Sequence, residues 1–267
     1  MKNRIDVLLV EQGYCETREK AKRIIMAGLV FVDGQRCDKA GTAVAEDAKI
    51  EVRGDDCPYV SRGGLKLERA LDRFGLDMNG LVCIDIGSST GGFTDCMLQR
   101  GAVKVYAVDS GTNQLVWKLR SDERVVCMEQ YNFRYAEPSD FADRMDFACT
   151  DVSFISLKHI LGPAASLLKD GAPMVCLIKP QFEAGREQVG KNGIVRDPAI
   201  HCQVIENVLG YAAESGFSVL DLDHSPVKGT KGNIEYLVLL RKKGDPVCSV
   251  DKEKIASVVS DAHKELD

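Results

Sequence analysis

The sequence predicts an α/β protein: a mostly parallel, doubly wound sheet of seven strands, preceded by a small α+β unit. From residue 81 onward, short apolar runs alternate with helical patterns, which is typical of a parallel sheet covered by helices. One of these runs, 82–86, ends in a loop of small residues at 87–92 and opens a helical pattern. The next run ends at Asp109, roughly 20 residues beyond the loop, where such folds place a ribose-binding acid.

The first 58 residues are predicted to form a separate α+β unit. The elements expected in it are a helix at 4–13, a helix that Thr17 caps and Gly28 ends, a hairpin strand at 29–32 with the turn Asp33-Gly34, and a strand at 49–52. Residues 59–64 are expected to be a linker, because Gly, Asp and Pro are frequent in this neighbourhood.

Residues 65–267 are predicted to form the larger domain. Its strands are expected at 82–86, 103–108, 125–128, 145–149, 173–178, 217–222 and 235–240. Its helices are expected at 65–74, 92–100, 113–120, 156–168, 199–214 and 251–267. A loop without a helix joins the last two strands, so the alternation of strands and helices breaks there.

Composition and charge limit the classes of function. The chain has 267 residues, of which 45% are hydrophobic and 28% charged, as expected of a folded globular protein. No run approaches the ~18 apolar residues of a membrane span, and the N-terminus does not resemble a signal peptide, so a cytoplasmic location is expected. The ten cysteines show no CxxC pair, so no metal site is expected. The net charge of −5 does not indicate nucleic acid, although residues 1–66 hold 12 basic side chains against 11 acidic ones.

The loop at 87–92 predicts a nucleotide-like ligand, because glycines at the end of a strand leave backbone N–H groups exposed at the start of a helix. Its spacing is G-x-S-x-x-G rather than G-x-G-x-x-G, which weakens a nicotinamide interpretation. S-adenosylmethionine, which has no pyrophosphate, suits the loop better, and an ordinary glycine-rich turn is the alternative. Asp85 either contacts the ligand or braces the loop. The candidate cofactor-binding residues are Asp85, Gly87, Ser89, Thr90, Gly91, Gly92, Phe93, Asp109, Ser110, Asn132 and Asp151.

Four charged residues fall at or near the ends of predicted strands or the edge of the sheet: Lys66, Asp151, Lys179 and Glu235. A single lysine in such a place is more often part of a salt bridge than a catalyst. Two lysines and two acids suit methyl transfer to a ribose hydroxyl, which needs a base or a positive field to react. A lysine near another cation has a lowered pKa and can take the proton, while the acids orient the ammonium groups. No metal is required.

The stretch RIDVLLVEQGYCETREKAKRIIMAGLVFVDGQ, residues 4–35, resembles the S4 RNA-binding fold, which also occurs in pseudouridine synthases and tyrosyl-tRNA synthetases. The resemblance implies that basic side chains of the second helix and its surroundings contact RNA phosphates, which position RNA without reading its sequence. The residues concerned are Arg4, Arg18, Lys20, Lys22 and Arg23. The alternative is a small structural subdomain with polar, solvated faces.

Six ordered blocks of the chain resemble the TlyA family of ribosomal RNA methyltransferases, whose methyltransferase domain is FtsJ-like and Rossmann-like. The blocks are YVSRGGLKL (59–67), DIGSSTGGFTD (85–95), YAVDSGTNQL (106–115), TDVSFISL (150–157), LIKPQFE (177–183) and GNIEYL (232–237). The loop-connected last two strands also resemble the antiparallel pair that closes the sheet in methyltransferases. Some members of the family carry a Trp in the linker that is absent here.

The resemblance implies S-adenosylmethionine-dependent 2′-O-methylation of cytidine in ribosomal RNA or ribosomal subunits. It implies a catalytic tetrad of Lys66, Asp151, Lys179 and Glu235, with Lys179 as the proton acceptor. Arg62, Arg186 and Lys191 are further candidates for RNA contacts, although the segment around the last two is also explained as a mobile loop.

The sequence leaves two other functions as alternatives. A non-catalytic RNA- or ribosome-binding protein would use the cofactor fold as a scaffold. A membrane-active haemolysin is disfavoured, because no spanning segment and no strongly amphipathic cationic helix is present. The sequence does not assign an oligomeric state.

Overall fold

The computed structural model describes residues 2–26, 28–53, 57–229, 231–243 and 247–266. The chain divides into two compact units, Met1–Cys57 and Pro58–Asp267. No helix of the described ranges is long and apolar enough to cross a membrane.

The first unit packs two helices against short strands. Its helices are α1 (Ile5–Glu11) and α2 (Arg18–Met26), and its strands are β1 (Lys2–Arg4), β2 (Val30–Val32), β3 (Gln35–Arg36), β4 (Ala43–Ala45) and β5 (Ile50–Val52). The predicted hairpin is present as the β2–β3 pair, with β5 on the other side of β2. Thr17 caps α2 as predicted, because its Oγ1 accepts the Lys20 N–H at 3.2 Å. The β1–β4 pair was not predicted, since three-residue strands leave almost no periodic signal.

The second unit is a seven-stranded sheet covered by helices, in the residues described. Its strands are β6 (Val82–Ile86), β7 (Lys104–Val108), β8 (Val125–Met128), β9 (Phe147–Thr150), β10 (Pro173–Ile178), β11 (Phe217–His224) and β12 (Tyr236–Lys242). Its helices are α3 (Gly63–Phe74), α4 (Gly92–Gln99), α5 (Trp117–Arg120), α6 (Lys158–Leu167), α7 (Pro180–Glu183), α8 (Pro198–Glu214) and α9 (Lys252–Leu266). The predicted mostly parallel, doubly wound α/β sheet is confirmed.

The order of the strands is β11-β12-β10-β9-β6-β7-β8, with β12 antiparallel to both of its neighbours. The other neighbouring pairs are parallel, so their carboxyl ends share one edge of the sheet. Because β12 runs the opposite way, its first residue, Tyr236, lies beside Ile178, the last residue of β10. This register places Glu235 and Lys179 at the same edge.

One prediction for this unit was wrong in detail. The helix expected at 113–120 begins only at Trp117, because the backbone N–H groups of residues 113–115 bond the Glu129 carboxylate instead of starting a helical turn. Between β10 and α8 the chain forms α7 and two 3-10 turns, at Arg186–Gln188 and Lys191–Gly193.

Candidate active site

A cavity of about 760 Å³ opens at the carboxyl edge of the sheet in the second unit. Its walls come from the start of α3, the loop after β6, the segments after β9 and β10, and the segment before β12. The lining residues are Ser61, Arg62, Gly63, Lys66, Asp85, Gly87, Ser88, Ser89, Thr90, Gly92, Phe93, Asp151, Ser153, Phe154, Lys179, Gln181, Phe182, Gly193, Val227, Lys228, Gly229, Lys231, Asn233 and Glu235.

The four charged residues singled out from the sequence lie together in this cavity. The Lys66 ammonium is 2.6 Å from Glu235 Oε2 and 3.5 Å from Asp151 Oδ2. The Lys179 ammonium is 2.5 Å from Asp151 Oδ1. The side chains therefore form an alternating row of acid, lysine, acid and lysine, which we call the charged row. Its members are largely buried, and Asp151, the most exposed, retains 20% of its side-chain accessibility.

The two lysines of the charged row have different surroundings. Burial lowers the pKa of Lys66, but the charges of Asp151 and Glu235 more than compensate, and the net shift raises its pKa. Lys66 is therefore held as a cation. Among the described residues, Lys179 forms an ion pair with one carboxylate, Asp151, and it donates a hydrogen bond to Ser153 Oγ at 3.0 Å.

The loop between β6 and α4 brings bare backbone to the cavity. Gly87 has a φ of +84°, and a Cβ added there would lie 3.2 Å from the Asp151 carbonyl oxygen. At Gly92 a Cβ would lie 2.3 Å from Ser61 Oγ and 2.9 Å from the Gly64 nitrogen. At Gly87 the positive φ disfavours any residue with a Cβ, and at Gly92 a Cβ would overlap the Gly64 backbone, so both positions favour glycine.

Asp85, at the end of β6, is fully buried and makes contacts that explain one of its two predicted roles. Its Oδ2 accepts hydrogen bonds from the N–H and the hydroxyl of Thr94, at 2.9 and 2.6 Å, and so braces the start of α4. Its Oδ1 has no hydrogen-bond partner among the described residues. Burial, only partly opposed by the hydrogen bonds from Thr94, raises the pKa of this carboxyl to about 7. A buried acceptor beside the cavity and without a partner suits a cationic ligand group.

Four predicted cofactor residues do not line the cavity: Gly91, Asp109, Ser110 and Asn132. Asp109 nevertheless joins the loop, because its Oδ2 accepts the Ser89 N–H at 2.8 Å and its Oδ1 accepts the Gly111 N–H at 2.7 Å. Asn132 is exposed, and its side chain accepts the Arg134 N–H at 3.2 Å. Ser110 is exposed as well.

The predicted RNA-contacting residues occupy several places. Arg62 lines the cavity, while Arg186 and Lys191 are exposed outside it. In the first unit, Arg4 and Arg18 both bond Asp6, Lys20 is partly exposed, and Lys22 and Arg23 are exposed.

Several residues of the cavity were not predicted from the sequence. Phe154 is 87% exposed and has a φ of +63°, and its ring centroid lies 4.9 Å from that of Phe182. Gln181 and Ser153 contact the charged row at Glu235 and Lys179. Phe154 lies three positions after Asp151, beyond the predicted strand, and this position could have indicated a role in the cavity. A large apolar residue there is equally compatible with a place in the hydrophobic core.

Comparison with known proteins places the fold in a family. The model described as FtsJ-like methyltransferase matches residues 59–242, and the S4 domain model matches residues 3–50. The chain belongs to the FtsJ-like methyltransferase family.

Within this family its relatives include TlyA proteins. The Mycobacterium tuberculosis protein named 16S/23S rRNA (cytidine-2'-O)-methyltransferase TlyA is 40% identical over 92% of this chain and 92% of its own length. YqxC of Bacillus subtilis, whose name marks it as a candidate rRNA methyltransferase, is 53% identical over 99% of this chain and 95% of its own length. A solved structure described as that of a candidate hemolysin from Streptococcus thermophilus has 56% identity and a TM-score of 0.80, covering 99% of this chain and 96% of that one.

Proposed function

We propose that this FtsJ-like methyltransferase transfers a methyl group from S-adenosylmethionine to the 2′-hydroxyl of a cytidine ribose in ribosomal RNA. The observation that carries the proposal is the charged row beside the glycine loop: two lysines and two carboxylates converge on one cavity from four distant parts of the chain. The names of the TlyA relatives support RNA ribose as the acceptor and cytidine as the nucleoside. Because ribosomal RNA is in the cytoplasm, we propose that location for the protein.

The cavity fits S-adenosylmethionine by the chemistry of its walls. Asp85 Oδ1 offers a buried acceptor for the methionine ammonium, and the backbone of residues 87–92 offers a bare surface for the methionine chain. We propose that Gly87, Ser89, Thr90, Gly92 and Phe93 contact this part of the cofactor. We propose that the four residues outside the cavity lining support cofactor binding from the adjoining loops, namely Gly91, Asp109, Ser110 and Asn132. When bound, the cofactor supplies a methyl group that its sulfonium has already activated.

The protein must then position the ribose hydroxyl and accept its proton. We assign Lys179, as a neutral amine, as the group that accepts the 2′-hydroxyl proton and so becomes an ammonium ion, because it lines the cavity and is held by Asp151 and Ser153. Asp151 orients it, since its two oxygens each face a different lysine. The Lys66 cation, fixed between Asp151 and Glu235, stabilises the negative charge that develops on the ribose oxygen. Positioning of the hydroxyl supplies the rest of the rate enhancement.

The RNA is proposed to bind through both units. Basic residues of the first unit, namely Arg4, Arg18, Lys20, Lys22 and Arg23, contact phosphates. In the second unit, Arg62, Arg186 and Lys191 are proposed to add phosphate contacts near the cavity.

The function is tested by mapping ribose methylation on ribosomal RNA and on ribosomal subunits incubated with the protein and S-adenosylmethionine. A new 2′-O-methylcytidine at a defined position supports the proposal. Tight binding of RNA with no methyl transfer to any of these substrates would favour a non-catalytic ribosome-binding protein instead.

Phe154 gives a prediction for substrate binding. Its exposed ring, packed against Phe182 at the mouth of the cavity, is placed to stack on a nucleobase that leaves the RNA helix. Since stacking contributes ~1–3 kcal/mol per base, Phe154→Ala should raise the KM for RNA by about 5- to 150-fold and leave cofactor affinity unchanged. Phe154→Trp should retain activity. Tyr135→Ala, at an aromatic residue that is 74% exposed and outside the cavity lining, is the control, and an equal effect there would contradict the assignment.

Asp85 gives a prediction for pH dependence. Because its pKa is raised to about 7, the carboxyl is largely neutral below that pH and ionised above it. If Oδ1 accepts the cofactor ammonium, affinity for S-adenosylmethionine should rise as the pH rises across about 6 to 8, the range in which this group titrates. Calorimetry of Asp85→Asn should show weaker binding without this rise. The exposed Asp170→Asn serves as control, and a flat wild-type profile would contradict the role.

A further inference from the structure

The first unit contains a buried carboxylate that holds two arginines. Asp6 is 0% exposed, and its Oδ1 accepts the Nε–H of Arg4 at 2.9 Å. Its Oδ2 accepts an Nη2–H of Arg4 at 3.1 Å and an Nη2–H of Arg18 at 2.8 Å. Both arginine side chains remain about half exposed, at 52% and 53%. We call Arg4 and Arg18 the arginine pair, and Asp6 is the carboxylate that holds them.

The fold brings the three residues together at the beginnings of two helices. Arg4 directly precedes α1, Asp6 is its second residue, and Arg18 is the first residue of α2. The Arg4 guanidinium is therefore held by two hydrogen bonds to Asp6, and the Arg18 guanidinium by one hydrogen bond to the Asp6 oxygen that both arginines share.

Asp6 does not neutralise this site. The two guanidinium charges and one carboxylate leave one net positive charge. Of the five N–H donors on each guanidinium, Asp6 engages two of Arg4 and one of Arg18. Hydrogen bonds from Arg4, followed by those from Arg18, outweigh burial and hold the pKa of the Asp6 carboxyl well below its usual range, so the carboxylate stays ionised.

An arginine side chain that is already ordered binds an anion at a lower cost. A free Arg side chain has considerable rotamer entropy, much of which binding would otherwise remove. The guanidinium fork also matches the oxygens of a phosphate, which favours two parallel N–H···O bonds. The two forks of this site are both half exposed and are joined through one Asp6 oxygen.

We propose that Asp6 is a positioning residue for RNA binding, which holds Arg4 and Arg18 as a preformed clamp for the phosphate backbone of the RNA substrate. This inference rests on the proposed function, because it assigns a role within RNA binding. Asp6 itself touches no RNA. Without it the two arginines would keep their charge and lose their arrangement.

The direction in which RNA affinity changes in Asp6→Asn separates a positioning role from simple electrostatic attraction. Asp6→Asn removes a negative charge from an RNA-binding surface, so long-range attraction alone predicts tighter binding. The clamp predicts weaker binding, because an amide cannot hold two guanidinium groups as a carboxylate does. We expect the RNA affinity of Asp6→Asn to fall by about 10-fold, which corresponds to ~1.4 kcal/mol. The slope of log affinity against log salt should become shallower by about 0.7 to 0.9 for each phosphate that the variant no longer binds.

The experiment measures binding of the full-length chain to a ribosomal RNA fragment over a range of salt concentrations. Asp47→Asn is the matched control, since it removes one exposed negative charge from the same unit, and it should bind as tightly as the wild type or more tightly. Arg18→Lys, which keeps the charge and loses the fork, should weaken binding nearly as much as Arg18→Ala. In a chain that lacks both arginines, Asp6→Asn should have no further effect on RNA affinity.

The outcomes distinguish this inference from the proposed function. Failure of the wild type to bind or methylate ribosomal RNA would overturn the proposed function. Wild-type binding combined with unchanged or tighter binding by Asp6→Asn would overturn the clamp alone. Far-ultraviolet circular dichroism and the affinity for S-adenosylmethionine are measured alongside. If Asp6→Asn proves unfolded, Arg18→Lys provides the test instead. An RNA affinity of Arg18→Lys equal to that of the wild type would also overturn the clamp.

Discussion

Replacing Lys179 with Ala should reduce ribose methylation by about 10³-fold or more while leaving S-adenosylmethionine binding nearly intact. General base catalysis contributes about 10²- to 10⁴-fold, and once it has taken the proton the same side chain supplies positive charge near the reacting oxygen. Its contacts are with Asp151 and Ser153 rather than with the glycine loop, so loss of the amine leaves the cofactor wall unchanged. The measurement is single-turnover methyl transfer to ribosomal RNA, with calorimetry for the cofactor.

A second substitution at the same position separates the two contributions of Lys179. Lys179→Arg keeps the positive charge, but a guanidinium stays protonated at every accessible pH and cannot accept a proton. If Lys179 is the base, Lys179→Arg should be as inactive as Lys179→Ala. If Lys179 acts only through its charge, Lys179→Arg should retain measurable turnover, and that result would contradict the base assignment.

The matched control is Lys169→Ala. Lys169 also pairs with an aspartate, at 2.6 Å from Asp146 Oδ1, but its side chain is 52% exposed and does not line the cavity. Because exposed ion pairs contribute little, activity and cofactor affinity should stay close to those of the wild type.

Much of the charged row could be predicted from the sequence, and the reason is geometric. Lys179 directly follows an apolar strand, and parallel strands end at one edge of a sheet, so residues after different strands converge there. The position of Glu235 required one further inference, because β12 is antiparallel to β10 and the beginning of β12 therefore lies at that edge. The lack of a helical pattern between the last two strands was the signal for this reversal.

What could not be predicted depends on side chains that take over backbone hydrogen bonds. Glu129 bonds three successive N–H groups of residues 113–115, and this prevents the helix that their spacing indicated. Neither partner carries a local signal, because they lie about 15 residues apart. The arginine pair of the first unit is similar, because Asp6 is an acidic residue in a short helix and is buried where α1 packs against α2.

Replacing Lys66 with Met should produce the largest loss of stability among single changes in the cavity. Glu235 Oε2 lies 2.6 Å from the Lys66 ammonium, and the glutamate side chain is only 2% exposed. Removing one partner of a buried ion pair leaves the other charge without compensation, which costs about 3–5 kcal/mol of unfolding free energy. Hydrogen exchange of the β9 amides, at the centre of the sheet, measures this loss.

The double variant Lys66→Met with Glu235→Leu should recover much of that stability, because two apolar side chains replace the pair without leaving a buried charge. It should nevertheless be as inactive as the single variant, since the cation that stabilises the ribose oxygen is missing. The control is Lys104→Met, which breaks a pair with Asp143 of similar length, 2.7 Å, in which both side chains are about one-third exposed. That change should cost less than about 1 kcal/mol. A Lys66→Met variant no less stable than Lys104→Met would show that Glu235 is not held as a buried carboxylate by Lys66, and Lys66 would then lose its role as the fixed cation of the charged row.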